Sequence, residues 1–259
     1  MRLLAIGDVC GPVGLDMIYR KLPIIKKENR IDAVIINGEN SAVGNGITRE
    51  TAEFLFSCGA DVITGGNHSL RRKEVYDFLD SNDFILRPHN LPEAPVGKGY
   101  CLVDFGSYSI AVINLSGKIY LEKDNADNPF NAADILIERA KNDGAKIIVV
   151  DFHAEATSEK RALGLYLDGK ISALFGTHTH IQTADNCILP NGTGYITDLG
   201  MTGPKNSILG VKSEIIINRL RLNDMSKFEF ADGEGFLCGC IFEIDTKNGK
   251  TLKTERIMI

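Results

Sequence analysis

Short apolar runs that alternate with amphipathic stretches constrain the fold of this chain more than any other feature of its sequence. The runs typical of buried strands lie at residues 3–6, 33–36 and 62–64, and helical spacing covers residues 15–27 and 48–57 between them. Pro23 is expected to mark a kink or a boundary in the first helix, and Thr48 is placed to cap the second. Strands that alternate with helices in this way predict βαβ units and a parallel sheet in an α/β fold.

The pattern changes after Pro88, where turn residues separate two strand-like segments as in a hairpin. The hairpin is predicted at residues 100–104 and 108–115, further helices at 132–142 and 158–167, and buried strands at 146–150 and 173–175. The last third is predicted to form strands at residues 195–197, 214–218, 236–244 and 251–258, with a turn at 247–249. Because there is no internal repeat or low-complexity linker, we predict one domain over residues 1–259, with two packed sheets and helices outside.

Composition excludes several classes of protein. The chain has 259 residues, and its 44% hydrophobic and 24% charged residues match soluble globular proteins, so global disorder is excluded. A net charge of −5 offers no basic surface for duplex nucleic acid, and no apolar run approaches the ~20 residues of a membrane span. The six cysteines include no CxxC pair, and without an export signal they indicate reduced thiols in a cytoplasmic protein. Cys238 and Cys240 are interpreted as core residues.

Residues whose side chains can bind metal ions come immediately after five of the predicted strands. Four of the five histidines of the chain lie at these positions. One histidine after a strand is commonly a structural imidazole, but packing alone does not explain five strand ends that all carry such residues. In open α/β sheets, the loops beyond the carboxyl ends of strands converge on functional sites. The residues at these ends are Asp8, Glu39, Asn40, Asn67, His68, His153, His178 and His180.

These side chains have the chemistry of a site for two metal ions. Imidazole, carboxylate and amide oxygen together favour Mn, Fe or Zn over Ca and over a thiolate site. A carboxylate such as Glu39 can bridge two ions about 3.5–4 Å apart, the spacing of two-metal phosphoryl-transfer sites. Two divalent ions bring a charge of about +4 against Asp8, Glu39 and one hydroxide, so roughly one positive charge remains for a phosphodiester monoanion.

The same residues resemble the sequence blocks of the calcineurin-like metallophosphoesterases, which run D-x-H, GD-x-x, GNH, H and G-H-x-H. The matching segments here are residues 7–8, 38–40, 66–68, 153 and 176–180. A more specific similarity is to the YmdB-like branch, the bacterial 2′,3′-cyclic nucleotide phosphodiesterases. Its GDV, NGEN(S/A), GNH, RP-x-N-x-P, HAE-x-TSEK and DLGMTGP segments occur here at residues 7–9, 37–41, 66–68, 87–92, 153–160 and 198–204. The resemblance covers essentially the whole chain.

The resemblance implies a four-layer αββα sandwich of two mixed β-sheets flanked by helices. It implies two ligand sets, Asp8, Glu39, Asn40 and His180 around one metal ion, and Glu39, Asn67, His153 and His178 around the other. It further implies that Glu39 bridges the ions and that His68 is the proton donor. The expected cofactors are two divalent or mixed-valence transition-metal ions, Fe or Mn in the first place and Zn as a further candidate.

The chain departs from the general superfamily at two positions. Cys10 stands where D-x-H has histidine, and Glu39 stands where the bridging residue is aspartate. Both departures are shared in kind with the YmdB-like branch, in which the asparagine after the glutamate supplies an oxygen to the metal. We therefore interpret Cys10 as a thiol that does not bind the metal.

The sequence allows both a functional and a solvent-exposed interpretation for several other polar residues. Asp151 and Glu155 either orient the ring of His153 or are simply solvated. Arg71 either belongs to a solvated helical turn or holds a phosphate. His89, between two prolines, is predicted to be an exposed loop residue.

The leading hypothesis is a dinuclear metal phosphodiesterase that hydrolyses 2′,3′-cyclic nucleotides. A metal-bound hydroxide would attack phosphorus, and His68 would protonate the leaving ribose oxygen. A phosphomonoesterase of the same fold is a variant of this hypothesis, and a metal-bearing nucleotide-binding regulatory protein is the alternative class. The expected partner is a small-molecule phosphodiester, with no duplex nucleic acid and no membrane. A homo-oligomer is expected because oligomers are common among soluble enzymes and because the resemblance favours one.

Overall fold

Two β-sheets packed face to face form the centre of the molecule in the computed structural model, which describes residues 1–92, 96–121, 123 and 125–259. The first sheet contains, in spatial order, β14 (Thr251–Met258), β13 (Cys238–Ile244), β1 (Arg2–Ile6), β3 (Ala33–Asn37) and β4 (Val62–Thr64). The second contains β5 (Tyr100–Asp104), β6 (Ser109–Ser116), β7 (Ile147–His153), β8 (Ala173–Thr177), β10 (Gly194–Ile196) and β9 (Cys187–Ile188). A small additional sheet is formed by β12 (Gly235–Phe236), β11 (Met201–Pro204) and β2 (Asp8–Val9).

Helices cover the outer faces of both large sheets. Those on the first sheet are α1 (Gly11–Asn29), α2 (Arg49–Ser57) and α3 (Tyr76–Ser81), and those on the second are α4 (Pro129–Asn142) and α5 (Thr157–Tyr166). A further helix, α6 (Ser213–Leu222), contributes none of its residues, all of which the structure describes, to the buried core. The predicted cap of α2 is confirmed, because Thr48 and Thr51 exchange side-chain-to-backbone hydrogen bonds.

The alternation of side chains along the strands separates the core into layers. In β1, Leu4 and Ile6 pack against the helices of the first sheet, whereas Leu3 and Ala5 pack against the second sheet. A third group of buried side chains fills the space between the second sheet and α4 and α5. The order of layers is therefore helix, sheet, sheet, helix, which confirms the predicted four-layer αββα sandwich with two mixed sheets.

One predicted element is wrong. The strand predicted at residues 214–218 is absent, and these residues, which include three successive isoleucines, lie in α6. Glu214 in the first turn, Arg219 and Arg221 in the last turn and a left-handed Asn223 after it all favour a helix, and they outweigh the β-branched run. Of the two alternatives predicted for Pro23, a kink or a boundary, the boundary is absent, because α1 continues through this exposed proline while buried Leu22 and Ile25 hold the helix on the sheet.

The predicted strand 236–244 is divided in the structure. Gly235–Phe236 pairs with β11, and the chain then changes partner at Leu237, so that Cys238–Ile244 pairs with β1 and β14. Cys240 is fully buried between the two large sheets and Cys238 is buried beside it, which confirms their interpretation as core residues. None of the helices within the described residues is both long and apolar enough to cross a membrane.

Candidate metal centre

The carboxyl ends of β1, β3, β4, β7 and β8 bring all the predicted site residues together at one edge of the two sheets, with Asp8 in β2 just after β1 and His153 as the last residue of β7. β1, β3 and β4 are parallel to one another, and so are β7 and β8, so their carboxyl ends lie at shared edges. A hydrogen bond of 3.2 Å from Asn37 Nδ2 to Asp151 Oδ2 joins these edges across the two sheets. The residues that sequence analysis placed at five separate strand ends therefore form one cluster.

Three side chains meet around the ring of His153, and together with His153 itself we call Glu39, Asn67 and His178 the His153 group. His153 Nε2 lies 3.2 Å from Glu39 Oε1, 3.0 Å from Asn67 Oδ1 and 3.0 Å from His178 Nδ1. His153 and Glu39 are buried. Glu39, His153 and His178 each offer a ligand atom, and these three atoms lie within 4.8 Å of one another, close enough for one metal ion. These four residues are the ones that the resemblance assigns to the second ligand set.

Three further side chains lie close together beside Glu39, and we call Asp8, Asn40 and His180 the Asp8 group. His180 Nε2 is 3.7 Å from Asp8 Oδ1 and 3.3 Å from Asn40 Nδ2. Asn40 Nδ2 is also 3.1 Å from Glu39 Oε1, so the glutamate contacts both groups. As placed, the amide nitrogen of Asn40 faces this group, and a ligating oxygen requires the amide to rotate by about 180°. That rotation would aim the amide N–H at His68 Nδ1, which now lies 3.0 Å from Asn40 Oδ1.

The nitrogen of each histidine that points away from the cluster has its own partner. His153 Nδ1 donates to Thr177 Oγ1 at 2.9 Å, because that hydroxyl gives its own proton to Asp151 Oδ1 at 2.7 Å. His178 Nε2 contacts Glu155 Oε2 at 3.0 Å, and His180 Nδ1 donates to the carbonyl of Leu209 at 3.0 Å. In the neutral rings, these acceptors keep the proton on the outer nitrogen. The lone pair of the other ring nitrogen then points into the cluster.

This arrangement fits bound cations. With the outer nitrogens protonated, His153 Nε2 and His178 Nδ1 face each other at 3.0 Å as two lone pairs, with Glu39 Oε1 and Asn67 Oδ1 as further acceptors. Asp8 Oδ1 is buried and has no hydrogen-bond partner among the described residues. A buried acceptor without a partner costs about 1–3 kcal/mol, and more when it is charged. A cation in each group would remove both costs.

The charges of the cluster also suit cations. Burial opposes ionisation of Glu39, but the imidazoles of His153 and His68 outweigh it and hold the pKa of Glu39 well below its usual range. Burial opposes ionisation of Asp8 as well, and the contact with His180 outweighs it and lowers the pKa. Burial, reinforced by His153, lowers the pKa of His178 to about 3. Both carboxylates are therefore charged and His178 is neutral at neutral pH. Burial opposes protonation of His153, but Glu39 and Asp8 outweigh it and raise its pKa, and Cys10 and Asp8 do the same for the pKa of His180. A metal ion would take the place of the proton on these rings, because it binds the neutral imidazole.

Cys10 lies outside the two groups of donors. Its Sγ is 3.6 Å from Nδ1 of His180, the nitrogen that faces away from Asp8 and Asn40, and 3.5 Å from the carbonyl of Asp8. This position supports the interpretation of Cys10 as a thiol that is not a ligand.

A buried ion pair that the sequence did not reveal holds the loop after β8. Lys160 Nζ donates to Asp198 Oδ2 at 2.6 Å and to the carbonyl of Thr177 at 2.8 Å, and the N–H of Thr179 donates to the same oxygen of Asp198 at 3.1 Å. Both charged side chains are completely buried. The pair therefore fixes the backbone on each side of His178, whose φ of 100° lies in the left-handed region that L-residues rarely adopt.

The remaining polar candidates fall outside the donor groups. Asp151 acts on His153 through Thr177, whereas Glu155 contacts His178 and not His153. Arg71 is exposed on the wall of a cavity next to His68. His89 is exposed, as predicted.

Comparison with known proteins gives matches along the whole chain. The sequence model of the YmdB-like protein family matches residues 4–257. A 2′,3′-cyclic-nucleotide 2′-phosphodiesterase from Bacillus subtilis strain 168 is 49% identical over 260 residues, which cover 100% of this chain and 97% of that protein. A hypothetical protein from Thermus thermophilus has a crystal structure with a TM-score of 0.92 and 39% identity, covering 100% of this chain and 99% of that one. A novel phosphatase from Mycoplasma pneumoniae has the same TM-score of 0.92 at 34% identity, covering 100% and 93%.

Proposed function

This chain belongs to the YmdB-like protein family, and from that membership we propose that it is a two-metal phosphodiesterase that hydrolyses 2′,3′-cyclic nucleotides. The observation that carries the proposal is the 3.0 Å approach of His153 Nε2 and His178 Nδ1, beside the acceptor oxygens of Glu39 and Asn67. Such a concentration of acceptors calls for a cation. The activity for which the B. subtilis relative is named supplies the substrate class.

The two donor groups define how the ions would be held. Asp8, Asn40 and His180 would bind one ion and Asn67, His153 and His178 the other, with Glu39 shared between them. Imidazole, carboxylate and amide ligands suit Fe or Mn, and Zn is also compatible with them. When bound, such ions lower the pKa of a water molecule to about 7 and neutralise the charge of a phosphodiester.

His68 is placed to act as the proton donor to the leaving ribose oxygen. Its backbone N–H donates to Glu39 Oε2 at 2.9 Å, which fixes the start of the residue beside the donor groups. Its Nδ1 lies 3.0 Å from Asn40 Oδ1, and after the rotation that a ligating oxygen requires, the amide N–H would face this nitrogen instead, so in both cases Nδ1 is engaged and Nε2 is left for a substrate oxygen. The side chain is 25% exposed and lines a cavity, so a substrate can reach it.

Substrate selection tests the proposal. After loading with Mn or Fe under anaerobic conditions, the protein is expected to carry about two metal ions per chain by elemental analysis. We expect kcat/KM to be higher for 2′,3′-cyclic AMP than for 3′,5′-cyclic AMP or for the monoester 3′-AMP, and chelation to abolish turnover. Strain in the five-membered cyclic phosphate also lowers its barrier to hydrolysis.

The same assays contain the results that would contradict the proposal. A preference for 3′,5′-cyclic AMP would change the substrate class, and a preference for 3′-AMP would make the protein a phosphomonoesterase. Binding of nucleotides without turnover by fully metal-loaded protein would support a regulatory role. Trace metal only, after supplementation, would remove the metal centre from the proposal.

A further inference from the structure

A cavity of about 880 Å³ opens beside His68 and has no role in the metal centre itself. One wall is the loop 43–45, which follows Glu39 and Asn40, and the other is the segment 227–232. Its volume lies within the range of sites for small organic ligands. We propose that this cavity binds the nucleobase of the cyclic nucleotide, stacked on the ring of Phe228. This inference rests on the proposed function and names the part of the substrate that the donor groups do not hold.

Phe228 has the environment of a stacking platform. Its side chain lines the cavity and the residue is 52% exposed, although a large apolar ring is normally buried. The guanidinium of Arg219 lies 4.1 Å from the ring centroid, and Arg219 also donates to the carbonyl of Ser226 at 2.8 Å. One face of the ring is therefore held by a cation–π contact, while exposed surface remains for a planar ligand.

The inner part of the same wall is anchored to the metal centre. Phe230 packs so closely over Gly11 that a Cβ there would lie 2.6 Å from its ring, and Gly11 has a φ of 58°. Phe230 also pairs with Val211 through a β-bridge, two residues after the carbonyl that accepts from His180 Nδ1. The aromatic wall is thus connected to a candidate ligand by backbone contacts, which fixes the distance between a base in the cavity and a phosphate at the ions.

The cavity lining offers both cationic groups and apolar walls. Arg71 and Lys227 line it, and neither has an ion-pair partner within the part of the chain that the structure describes. Two carboxylates, Glu229 and Asp232, line it as well, and Glu229 is paired with Lys212 at 2.7 Å. The apolar part of the lining includes Pro12, Val13 and Val43. A cyclic nucleotide presents both an aromatic base for such walls and a negative phosphate for such cations.

The test compares two cyclic phosphates that differ in the base. In 2′,3′-cyclic AMP the base is present, whereas glycerol 1,2-cyclic phosphate has the same five-membered diester without one. We expect Phe228→Ala to raise KM for 2′,3′-cyclic AMP by about 5- to 150-fold, the value of one base–aromatic stack, with little change in kcat. KM for glycerol 1,2-cyclic phosphate should not change. Phe228→Tyr should retain the wild-type KM for both substrates, because it keeps the aromatic face.

Phe84→Ala is the matched control, because Phe84 is a phenylalanine of similar exposure, 40%, that is not part of the cavity lining. It is expected to leave both KM values unchanged. Binding of 2′,3′-cyclic AMP to metal-free protein, measured by calorimetry, should weaken in Phe228→Ala and not in Phe84→Ala.

Each result decides between the inference and the proposed function. An unchanged KM and an unchanged binding constant for 2′,3′-cyclic AMP in Phe228→Ala would overturn the base site. An equal loss for glycerol 1,2-cyclic phosphate would also overturn it, because the effect would then be independent of the base. If the wild type hydrolyses neither substrate but binds the nucleotide in a Phe228-dependent manner, the inference holds and the proposed hydrolytic function is wrong.

Discussion

The histidines of the centre differ from ordinary loop histidines in that each has a partner for its outer nitrogen. The ligand candidates could be predicted from sequence because each directly follows an apolar strand. Their partners could not, because Thr177 belongs to a neighbouring strand and Leu209 lies 29 residues from His180 and contributes a backbone carbonyl. A carbonyl is present in every residue, so no residue type signals it. Long-range partners of this kind appear only when the fold is known.

His68→Ala is expected to keep the metal ions and lose turnover. A positioned general acid contributes roughly 10²–10⁴ in rate, and alanine preserves the backbone N–H that donates to Glu39. The measurements are metal content and kcat, with His89→Ala as a control at an exposed histidine. Loss of one metal equivalent would place His68 among the ligands, and a rate close to that of the wild type would remove it from the mechanism.

Cys10 and Asn40 are expected to respond in opposite ways to substitution. Cys10→Ser should leave metal content and activity nearly unchanged, because the thiol faces the outer nitrogen of His180. Asn40→Ala should weaken the ion shared with Asp8 and His180, because a neutral amide oxygen adds a ligand without adding charge. Metal titration of both variants decides the matter. If Cys10→Ser lost a metal equivalent and Asn40→Ala did not, the thiolate would be the ligand.

At the scale of elements, the strands were more predictable than the segments that connect them. The apolar runs of β1, β3, β4, β7 and β8 specify buried strands directly. The packing of the sheets follows because successive side chains of each strand face opposite sides of its sheet. The error in α6 has a physical reason, because β-branched residues form strands only where neighbouring strands accept their backbone hydrogen bonds. The loop after β8 was not predictable either. Both histidines of this loop, His178 and His180, have positive φ values, of 100° and 63°.

Lys160→Met tests how that loop is held. Removing one partner of a completely buried ion pair leaves Asp198 charged and uncompensated, so the free energy of unfolding should fall by about 3–5 kcal/mol. Because Thr177 and Thr179 flank His178, the affinity for metal should also decrease. Denaturant unfolding and metal titration of folded protein measure the two effects.

Lys141→Met is the matched control for this substitution, because the Lys141–Glu138 pair is solvent-exposed. It should change neither the free energy of unfolding nor the metal affinity appreciably. If Lys160→Met retained the wild-type affinity for metal while losing stability, the buried ion pair would support the fold and would not position His178.

At the scale of the whole molecule, the two ends of the chain belong to the same sheet. β1 lies between β3 and β13, and its residues pair with Ala33–Ile36 on one side and with Gly239–Glu243 on the other. The N-terminal and C-terminal parts therefore share backbone hydrogen bonds as well as the core between the sheets. Separate unfolding of the two halves would break this sheet through its middle.

Thermal unfolding with and without metal tests this view of the molecule together with the centre. We expect one cooperative transition, as predicted for a single domain over residues 1–259.

Ligand binding to the native state alone stabilises it by about 2.7 kcal/mol at 100 times the dissociation constant, which corresponds to roughly 5–10 °C in Tm for a chain of this size. A chelator should therefore lower Tm in the wild type. It should have a smaller effect in His178→Ala, because this variant lacks a ligand of the His153 group. Two separate transitions would contradict the single domain, and a Tm insensitive to chelation would mean that the donor groups hold no stabilising ion.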